Sequence, residues 1–396
     1  MQLPIAPAWS SSVSLIGITG TNGKTSTTTW LAAALSCLQA PVLRITTVGA
    51  YLADAPLSVA SDYDGFVEAM RLLRQSGGHL AAIELTSEAL ALGYAKVWPC
   101  RIGVFTNLTR DHLDSHGSAE HYLASKAQLF VHLPAGGCAV LHGCDPASAL
   151  LEEVVPPGVR VVRYGQPSRA DPARPLDLCV EQVQVSWQGT RFVASGAWLP
   201  EPLSVAVRAI GDMYAENAAA ALAGAIAAGV EPSQAVGALA ASAPPAGRFE
   251  VIGAGPRAVV DYAHTPDALR RTLEPARGLC KGRLTAVFGA GGNRDRGKRG
   301  EMGAAAKCAD RVIVTSDNPR HEDPADIAAS IREGLGKHPA VDTQLDRALA
   351  IRTAISGASV EDVIVIAGKG HERVQWVGEE ARPFCDQQVV REAMGE

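Results

Sequence analysis

Residues 13–35 read VSLIGITGTNGKTSTTTWLAAAL. The apolar run 13–18 predicts a buried strand, and the pattern becomes helical from Ser26 onward. A glycine-rich loop that closes with Gly23 and Lys24 joins the two. Strand, glycine-rich loop and helix in this order form a phosphate-binding device, because the backbone N–H groups of the loop and the helix N-terminus face an anion.

The side chains at the end of this loop favour a nucleoside triphosphate. Lys24 would reach the β- and γ-phosphates, and the Thr25 hydroxyl would hold Mg²⁺. The strict pattern G-x-x-x-x-G-K-[ST] is not met, because Ile18 stands where its first glycine would be. A plain glycine-rich turn is the alternative, but the flanking strand and helix are the context that the motif requires. We therefore predict that the nucleotide is bound by Gly20, Thr21, Asn22, Gly23, Lys24, Thr25 and Ser26.

Composition limits the class of protein. A chain of 396 residues should hold two or three domains, and 47% hydrophobic with 19% charged residues is typical of a globular protein. A net charge of −5 gives no reason to expect nucleic-acid binding. Eight cysteines without a C-x-x-C pair indicate reduced thiols in a cytoplasmic protein. We see neither a signal peptide nor an apolar stretch of roughly 18 residues that would span a membrane.

Apolar strand-like runs alternate with helical runs along most of the chain, which predicts βαβ units and a mainly parallel sheet. Between residues 150 and 205, segments such as VRVVRYG alternate β-branched residues and predict a small antiparallel set of strands. Residues 242–247, SAPPAG, are the best linker candidate, because Pro-Pro and Gly interrupt both periods. After it the alternation of strands and helices resumes.

The predicted fold class is therefore α/β. Residues 1–12 form an irregular lead-in, and residues 13–242 form a P-loop-type ATPase domain with a mainly parallel sheet and a small antiparallel sheet. Residues 243–396 form a Rossmann-like α/β domain. The predicted strands of the first domain include 13–18, 41–45, 80–85, 102–108 and 138–141, and its helices 26–38, 64–76, 118–131, 215–229 and 233–241. In the second domain we predict strands 258–262, 284–288, 311–315 and 362–367 and helices 266–276, 298–309, 324–336 and 347–355.

Two further segments of the first domain carry candidate ligands. Glu84 lies near the end of a predicted strand, where open α/β sheets bind ligands, and its carboxylate could hold Mg²⁺ beside the phosphates. An exposed or helix-capping acid is the alternative. Residues 106–130, TNLTRDHLDSHGSAEHYLASKAQLF, follow a buried strand, and His112 is a plausible second metal ligand. A surface or capping histidine is again the alternative, but the polar cluster after a strand end favours a site.

Four polar segments of the second domain each follow a predicted strand. They are DYAHTPDAL at 261–269, GAGGNRDRGKR at 289–299, TSDNPRHEDP at 315–324 and AGKGHE at 367–372. The second segment could be another anion-binding loop or a solvated basic turn, and SDNPR alone is a proline turn. Because strand ends of one sheet converge on one edge, the four together predict a binding face.

As a set, GTNGKTS, TNLTRDHLDSHG, DYAHTPDAL, GNRDRGKR, SDNPR and GKGHE resemble the Mur ligase family, most closely its MurE branch, over about residues 13–375. This resemblance implies an ATP-dependent ligase that phosphorylates a carboxylate to an acyl phosphate, which an amine then attacks to form an amide. It implies ATP and two Mg²⁺ ions as cofactors, and small-molecule carboxylate and amino-acid substrates as partners. A monomer or weak dimer without nucleic acid or membrane is expected.

The resemblance also assigns roles to residues. Lys24 would hold the phosphates, and Thr25 with Glu84 would bind the first Mg²⁺. His112 and a Lys126 carbamylated by CO₂ would bind the second Mg²⁺. We expect Lys24, Glu84, His112 and Lys126 to be catalytic. Further nucleotide contacts are implied for Asn107, Asn217, Asp261, Tyr262, His264 and Arg294. The residues implied for the amino-acid substrate are Arg299, Asp317, Asn318, Arg320, Gly368 and Glu372.

The motif Asp317-Asn318-Pro319-Arg320 matches the one that in MurE enzymes marks diaminopimelate selection over lysine. An arginine fork suits a carboxylate, and an acid suits a distal ammonium.

The sequence departs from the MurE pattern at three places that concern the acceptor. Residues 1–12 are too few for the UDP-binding domain with which such enzymes begin, residues 45–62 lack the Thr-Thr-Gly loop, and Glu88 replaces a family histidine. We therefore expect a carboxylate acceptor without a UDP handle. The alternatives are a ligase for muramyl peptides, a non-catalytic nucleotide-binding scaffold, and ATP hydrolysis coupled to transport.

Overall fold

A computed structural model describes residues 5–109 and 118–396. These residues form two compact units. The first ends at Ala243, and the second comprises Pro244–Glu396 together with Ala209–Gly211. The division falls within the predicted linker at 242–247.

The first unit is built on a mixed sheet that, in the described ranges, has eleven strands in the order β11-β10-β9-β8-β7-β6-β1-β5-β2-β3-β4. Its strands are β1 Ser14–Thr19, β2 Val42–Thr46, β3 Gly49–Leu52, β4 Ala55–Leu57, β5 Leu80–Glu84, β6 Ile102–Phe105, β7 Cys138–His142, β8 Arg160–Gly165, β9 Leu178–Ser186, β10 Gly189–Ser195 and β11 Leu203–Val207. Its helices are α1 Lys24–Leu35, α2 Tyr63–Gln75, α3 Ser87–Ala91, α4 Tyr94–Val97, α5 Ala119–Val131, α6 Ala147–Glu153, α7 Asp212–Ala227 and α8 Pro232–Ala241.

The predicted fold class is confirmed, with one correction. Strands β9, β10 and β11 form the predicted antiparallel set at one edge of the large sheet. The segment VRVVRYG does not belong to that set, because β8 pairs in parallel with β7. Helix α6 lies between these two strands and returns the chain to the same direction, which a tight hairpin cannot do.

The predicted phosphate-binding loop follows the central strand β1, which is flanked by β5 and β6. All five residues of β5 are buried, as expected of a parallel strand covered on both faces. Helix α1 begins two residues before the predicted start, directly after Gly23. Strand β6 ends at Phe105 rather than at residue 108, because the following residues bond to the loop instead of continuing the sheet: the Thr21 N–H donates to the Asn107 carbonyl at 2.8 Å.

The second unit has, in its described part, a six-stranded sheet in the order β12-β13-β17-β14-β15-β16 and a separate hairpin, β18–β19. The strands are β12 Glu250–Ile252, β13 Arg257–Asp261, β14 Leu284–Phe288, β15 Arg311–Val314, β16 Val341–Thr343, β17 Val363–Ala367, β18 Val374–Val377 and β19 Glu380–Pro383. The helices are α9 Pro266–Leu279, α10 Lys298–Ala305, α11 Pro324–Leu335, α12 Arg347–Ser356 and α13 Asp386–Met394.

The four polar segments predicted to form a binding face follow β13, β14, β15 and β17, which are parallel neighbours in this sheet. Their loops therefore leave the same edge. A buried ion pair between Arg347 and Asp386 lies beneath it, with Nη2 and Oδ2 2.8 Å apart, and Arg347 Nη2 also donates to the Ala367 carbonyl. This pair joins the first residues of α12 and α13 to the end of β17.

All eight cysteines are free, which agrees with reduced thiols. Burial raises the pKa of Cys100 to about 12 and that of Cys138 to about 11, so neither is a nucleophile at neutral pH. Within the described residues, no helix is both long and apolar enough to cross a membrane.

Candidate functional site

The loop between β1 and α1 has a backbone that only glycine adopts without strain. Gly23 precedes α1 with a φ of 85°, in the left-handed region. A Cβ atom on Gly23 would lie 2.2 Å from Asn217 Oδ1, and one on Gly20 would lie 1.9 Å from Thr106 Oγ1. Both glycines are therefore required by the packing of the loop as well as by its curvature.

The predicted phosphate and metal side chains lie together at this loop. The Thr25 hydroxyl donates to Glu84 Oε2 at 2.9 Å, and the Thr47 N–H donates to the same oxygen at 3.3 Å. Lys24 Nζ lies 3.9 Å from Glu84 Oε1 and donates to the carbonyls of Gly20 and Thr21. A hydroxyl, a carboxylate and an ammonium at the start of a helix form a suitable site for a Mg²⁺–triphosphate.

Lys126 reaches the same loop from α5. Its side chain is 1% exposed, and Nζ donates to the Gly20 carbonyl at 2.8 Å while lying 4.1 Å from the centre of the Tyr122 ring. The ammonium groups of Lys24 and Lys126 thus share one carbonyl acceptor. The second predicted metal site also includes His112, which lies outside the described residues.

The two asparagines predicted to contact nucleotide both brace the loop. Asn107 bonds reciprocally with Asn22: the Asn22 N–H donates to Asn107 Oδ1 at 2.9 Å, and Asn107 Nδ2 donates to the Asn22 carbonyl at 3.0 Å. Asn217, near the start of α7, packs against Gly23, and its carbonyl accepts from the Thr27 hydroxyl at 3.3 Å. In the described part of the chain, no cluster of three His, Cys, Asp or Glu side chains is arranged to hold a metal by itself.

A charged cluster around the buried Glu216, next to Asn217 in sequence, was missed by sequence reasoning. Glu216 is 3% exposed, and its Oε1 lies 2.6 Å from Arg169 Nη1 and 3.5 Å from His142 Nε2. Burial by itself lowers the pKa of His142, but Cys144 and Glu216 together outweigh it and raise that pKa to about 9. A lone histidine at the end of β7 carries no sequence pattern that would have predicted this pairing.

In the second unit, Asp261 ends β13 and is buried. It accepts hydrogen bonds from the N–H groups of Phe249 and Ala263, at 2.7 and 2.8 Å. Burial raises its pKa, although Arg248 and these N–H groups act in the opposite direction. The Tyr262 ring lies 4.5 Å from the Arg248 guanidinium and 4.6 Å from the His264 ring. Buried Asp261 thus lies directly before the contacting Tyr262 and His264 rings in the segment that follows β13.

The SDNPR loop is held by hairpin β18–β19. The Arg320 N–H donates to the Trp376 carbonyl at 3.1 Å, and the Gly378 N–H donates to the Arg320 carbonyl at 2.7 Å. Arg320 has a φ of 51°, a left-handed conformation uncommon outside glycine. A Cβ on Gly368 would lie 2.3 Å from Asp317 Oδ2, so this glycine permits close approach of two predicted substrate residues.

The two arginines predicted to bind the amino-acid substrate have different partners. Arg299 is 2% exposed and donates through Nη1 and Nη2 to both carboxylate oxygens of Glu322, at 3.1 and 2.9 Å. Arg320, within the described residues, makes no ion pair; its Nη1 donates to the Gly292 carbonyl at 2.9 Å. Burial and the neighbouring Arg294 lower the pKa of Arg320, although Asp317 and Glu372 act in the opposite direction. Arg320 is therefore the better placed of the two to receive a carboxylate.

The residues around Lys24 and those around Arg320 suit an enzyme that uses ATP to join an acid to an amine. Comparison with known proteins identifies the family of enzymes to which the chain belongs. Residues 18–225 match the Mur ligase middle domain, and residues 247–370 match the Mur ligase glutamate ligase domain. The chain belongs to the Mur ligase family, whose members are ATP-dependent ligases that use Mg²⁺.

The relatives indicate the nearest branch. The chain is 38% identical over 408 residues to the UDP-N-acetylmuramoyl-L-alanyl-D-glutamate--2,6-diaminopimelate ligase of Ralstonia nicotianae, covering 99% of this chain and 79% of the relative. A solved structure of an enzyme with that name matches with a TM-score of 0.66 and 32% identity, over 97% of this chain and 78% of the other. Folylpolyglutamate synthase of Mycobacterium tuberculosis, with a TM-score of 0.75 and 22% identity over 91% and 89%, shows the same fold.

Proposed function

We propose that this protein is an ATP-dependent ligase that adds a diaminopimelate-like amino acid to a carboxylate acceptor. The γ-phosphoryl group of ATP passes to the acceptor carboxylate, and ADP leaves. The amine attacks the resulting acyl phosphate, the C–O bond to phosphate breaks, and an amide forms. The observation that carries the proposal is the contact of Thr25, Glu84 and Lys24 on the phosphate-binding loop.

Mg²⁺ fits the first site because Thr25 and Glu84 offer adjacent oxygen ligands, and this ion takes few protein ligands when it is bound to phosphates. When bound, it neutralises charge on the transferring phosphoryl group. Lys24 contributes a fixed positive charge beside Glu84, and the left-handed backbone of Gly23, packed against Asn217, keeps the loop in position for the phosphates.

We propose that Lys126 is carbamylated. Two ammonium groups on one buried carbonyl repel each other, and converting one into a carbamate removes that repulsion. The Lys126 ammonium first releases one proton, and the neutral amine then attacks CO₂ and releases a second, which replaces a cation by an anion with two oxygen ligands. Such a group could hold a second Mg²⁺ together with His112.

The amine end of the reaction is proposed for the second unit. Arg320 offers a guanidinium that makes no ion pair within the described residues, and Glu372 lies in the neighbouring loop, 2.9 Å from Asn318. A substrate with a carboxylate and an ammonium at its far end matches this pair of charges. The diaminopimelate ligases to which the chain is similar act on such a molecule.

The acceptor is proposed to be a carboxylate without a UDP handle. Glu88 lies in the first turn of α3 and is exposed. It places a negative charge four residues after Glu84, the predicted metal ligand. Residues 45–62 contain the end of β2 together with β3 and β4, and they carry no Thr-Thr-Gly sequence. Both features favour an acceptor different from the muramyl dipeptide of the relatives.

A screen of amines against carboxylates tests the proposal, with ADP release as the readout and meso-diaminopimelate, L-lysine and other diamino acids tried first. We expect ADP release only when both partners are present, and none from Lys24→Ala. Activity with muramyl peptides alone would replace our acceptor by the second candidate. Nucleotide binding without turnover on any pair would indicate a scaffold.

A further inference from the structure

We propose that Lys369 is a positioning residue that sets the amine specificity of the second unit. Lys369 follows β17, and its side chain is fully buried. Nζ donates to Asn318 Oδ1 at 3.0 Å and to Glu372 Oε2 at 2.8 Å. It therefore joins two residues that we assign to the amine substrate, yet it cannot itself touch a substrate. This inference rests on the proposed function.

The first consequence concerns the amide of Asn318. Its Oδ1 accepts from Lys369 and also from the Trp376 N–H at 2.9 Å. Two donors on one oxygen leave Nδ2 pointing the other way, where it donates to Glu372 Oε2 at 2.9 Å. Without the ammonium, the amide loses one of the two bonds that determine which end faces Glu372.

The second consequence concerns the carboxylate of Glu372. Oε2 accepts both the Lys369 ammonium and the Asn318 amide, whereas Oε1 accepts no hydrogen bond from any described residue. The side chain is 28% exposed. Lys369 thus fixes Oε2 of Glu372 and leaves Oε1 for an incoming ammonium.

The third consequence is selectivity. The charges of Lys369 and Glu372 cancel, so a bare distal ammonium gains little long-range attraction from the pair. A distal carboxylate next to that ammonium adds the attraction of Arg320, whose guanidinium makes no ion pair with any described residue. The arrangement favours an amine whose far end carries both charges over one with an ammonium alone.

The test is calorimetric binding of meso-diaminopimelate and of L-lysine to the full chain, with Mg²⁺ and a non-hydrolysable ATP analogue present. We expect Lys369→Gln to weaken diaminopimelate binding at least tenfold and to shrink its preference over lysine. Binding of the ATP analogue should stay within twofold. Unchanged diaminopimelate affinity, or an equal loss of nucleotide affinity, would overturn the role of Lys369.

The matched control is Asp362→Asn, which removes a buried charge just before β17, at the other end of that strand. Asp362 accepts from the Arg283 and Ser359 N–H groups at 2.7 and 3.0 Å. Asp362→Asn should lower the free energy of unfolding and leave the affinity for diaminopimelate within twofold of wild type. A tenfold loss of that affinity in Asp362→Asn would show that the effect of Lys369→Gln is merely structural.

Two further measurements complete the experiment. If Lys369→Gln fails to fold, Lys369→Arg retains the charge with a different geometry and should still weaken diaminopimelate binding more than nucleotide binding; equal effects count against the inference. Wild-type protein that binds no diamino acid refutes the proposed amine substrate, and the inference with it. Wild-type binding that Lys369→Gln leaves intact refutes the inference alone.

Discussion

Replacing Gly23 by alanine tests the phosphate-binding loop most directly. The left-handed backbone at this position, with a φ of 85°, costs an alanine about 1–2 kcal/mol. The new Cβ would also lie 2.2 Å from Asn217 Oδ1, far inside normal contact. Asn217 is 6% exposed, so relieving this collision costs a further 1–3 kcal/mol or so. The expected total loss of unfolding free energy is about 2–5 kcal/mol.

Gly77 provides a control with the same backbone and no collision. Its φ is 82°, and a Cβ there meets nothing within 4 Å. Gly77→Ala should therefore lose only about 1–2 kcal/mol. Urea unfolding of both variants measures the difference, which we assign to the contact with Asn217. The double variant Gly23→Ala/Asn217→Ala should regain that steric part of the stability.

Turnover separates loop geometry from stability. A shift of about 1 Å in groups that position phosphates can cost roughly 100-fold in rate, so ADP release by Gly23→Ala should fall by that order. Gly77→Ala should retain wild-type turnover at a temperature where both variants are folded. Equal stability and equal turnover for the two variants would refute the packing of Asn217 against the loop.

Three other changes probe the remaining groups. Lys126→Ala should abolish ADP release and regain part of it with added acetate, whereas full activity without acetate would exclude the carbamate. Arg320→Ala should raise the KM for the amine at least tenfold and change the KM for ATP less than twofold; equal changes in the two constants would make SDNPR only a turn. His142→Gln should destabilise the protein most below pH 6.5, by at most about 3 kcal/mol. The pKa of His142 is raised to about 9 in the folded protein, so the stability that its charged form contributes is lost as the pH rises through 9. Urea unfolding at several pH values measures this, and a constant difference between pH 6 and 10 would show that His142 does not pair with Glu216 as a cation.

Much of the fold could be predicted because buried parallel strands carry a strong local pattern. Strand β14 coincides with the predicted residues 284–288, and all its residues are buried. Elements that sequence reasoning missed lack such a pattern. Strand β19 is exposed at all four positions and ends at Pro383, so its pairing with β18 depends on cross-strand bonds and not on apolar periodicity.

The candidate site could be predicted only to the level of residue type. Lys24, Thr25 and Glu84 have chemistry that fits a phosphate loop, and the structure places them in contact. The partners of buried charges could not be predicted in this way. Glu322 is 23 residues from Arg299, and Glu216 is 74 residues from His142, so their pairing is determined by the packing of separate elements.

The contrast between Arg299 and Arg320 shows why charge pairing matters for specificity. Both follow strands that end at the same sheet edge, Arg299 in the first turn of α10 and Arg320 in a loop, and the sequence motifs assign both to the same substrate. Arg299 already satisfies a carboxylate through two hydrogen bonds, so a substrate would have to displace Glu322 from a nearly dry site, which is costly. Arg320 has no such competitor within the described residues. Recognition of a substrate carboxylate should therefore depend on Arg320, while Arg299 holds the glycine-rich loop against Glu322 so that Gly292 can accept from Arg320.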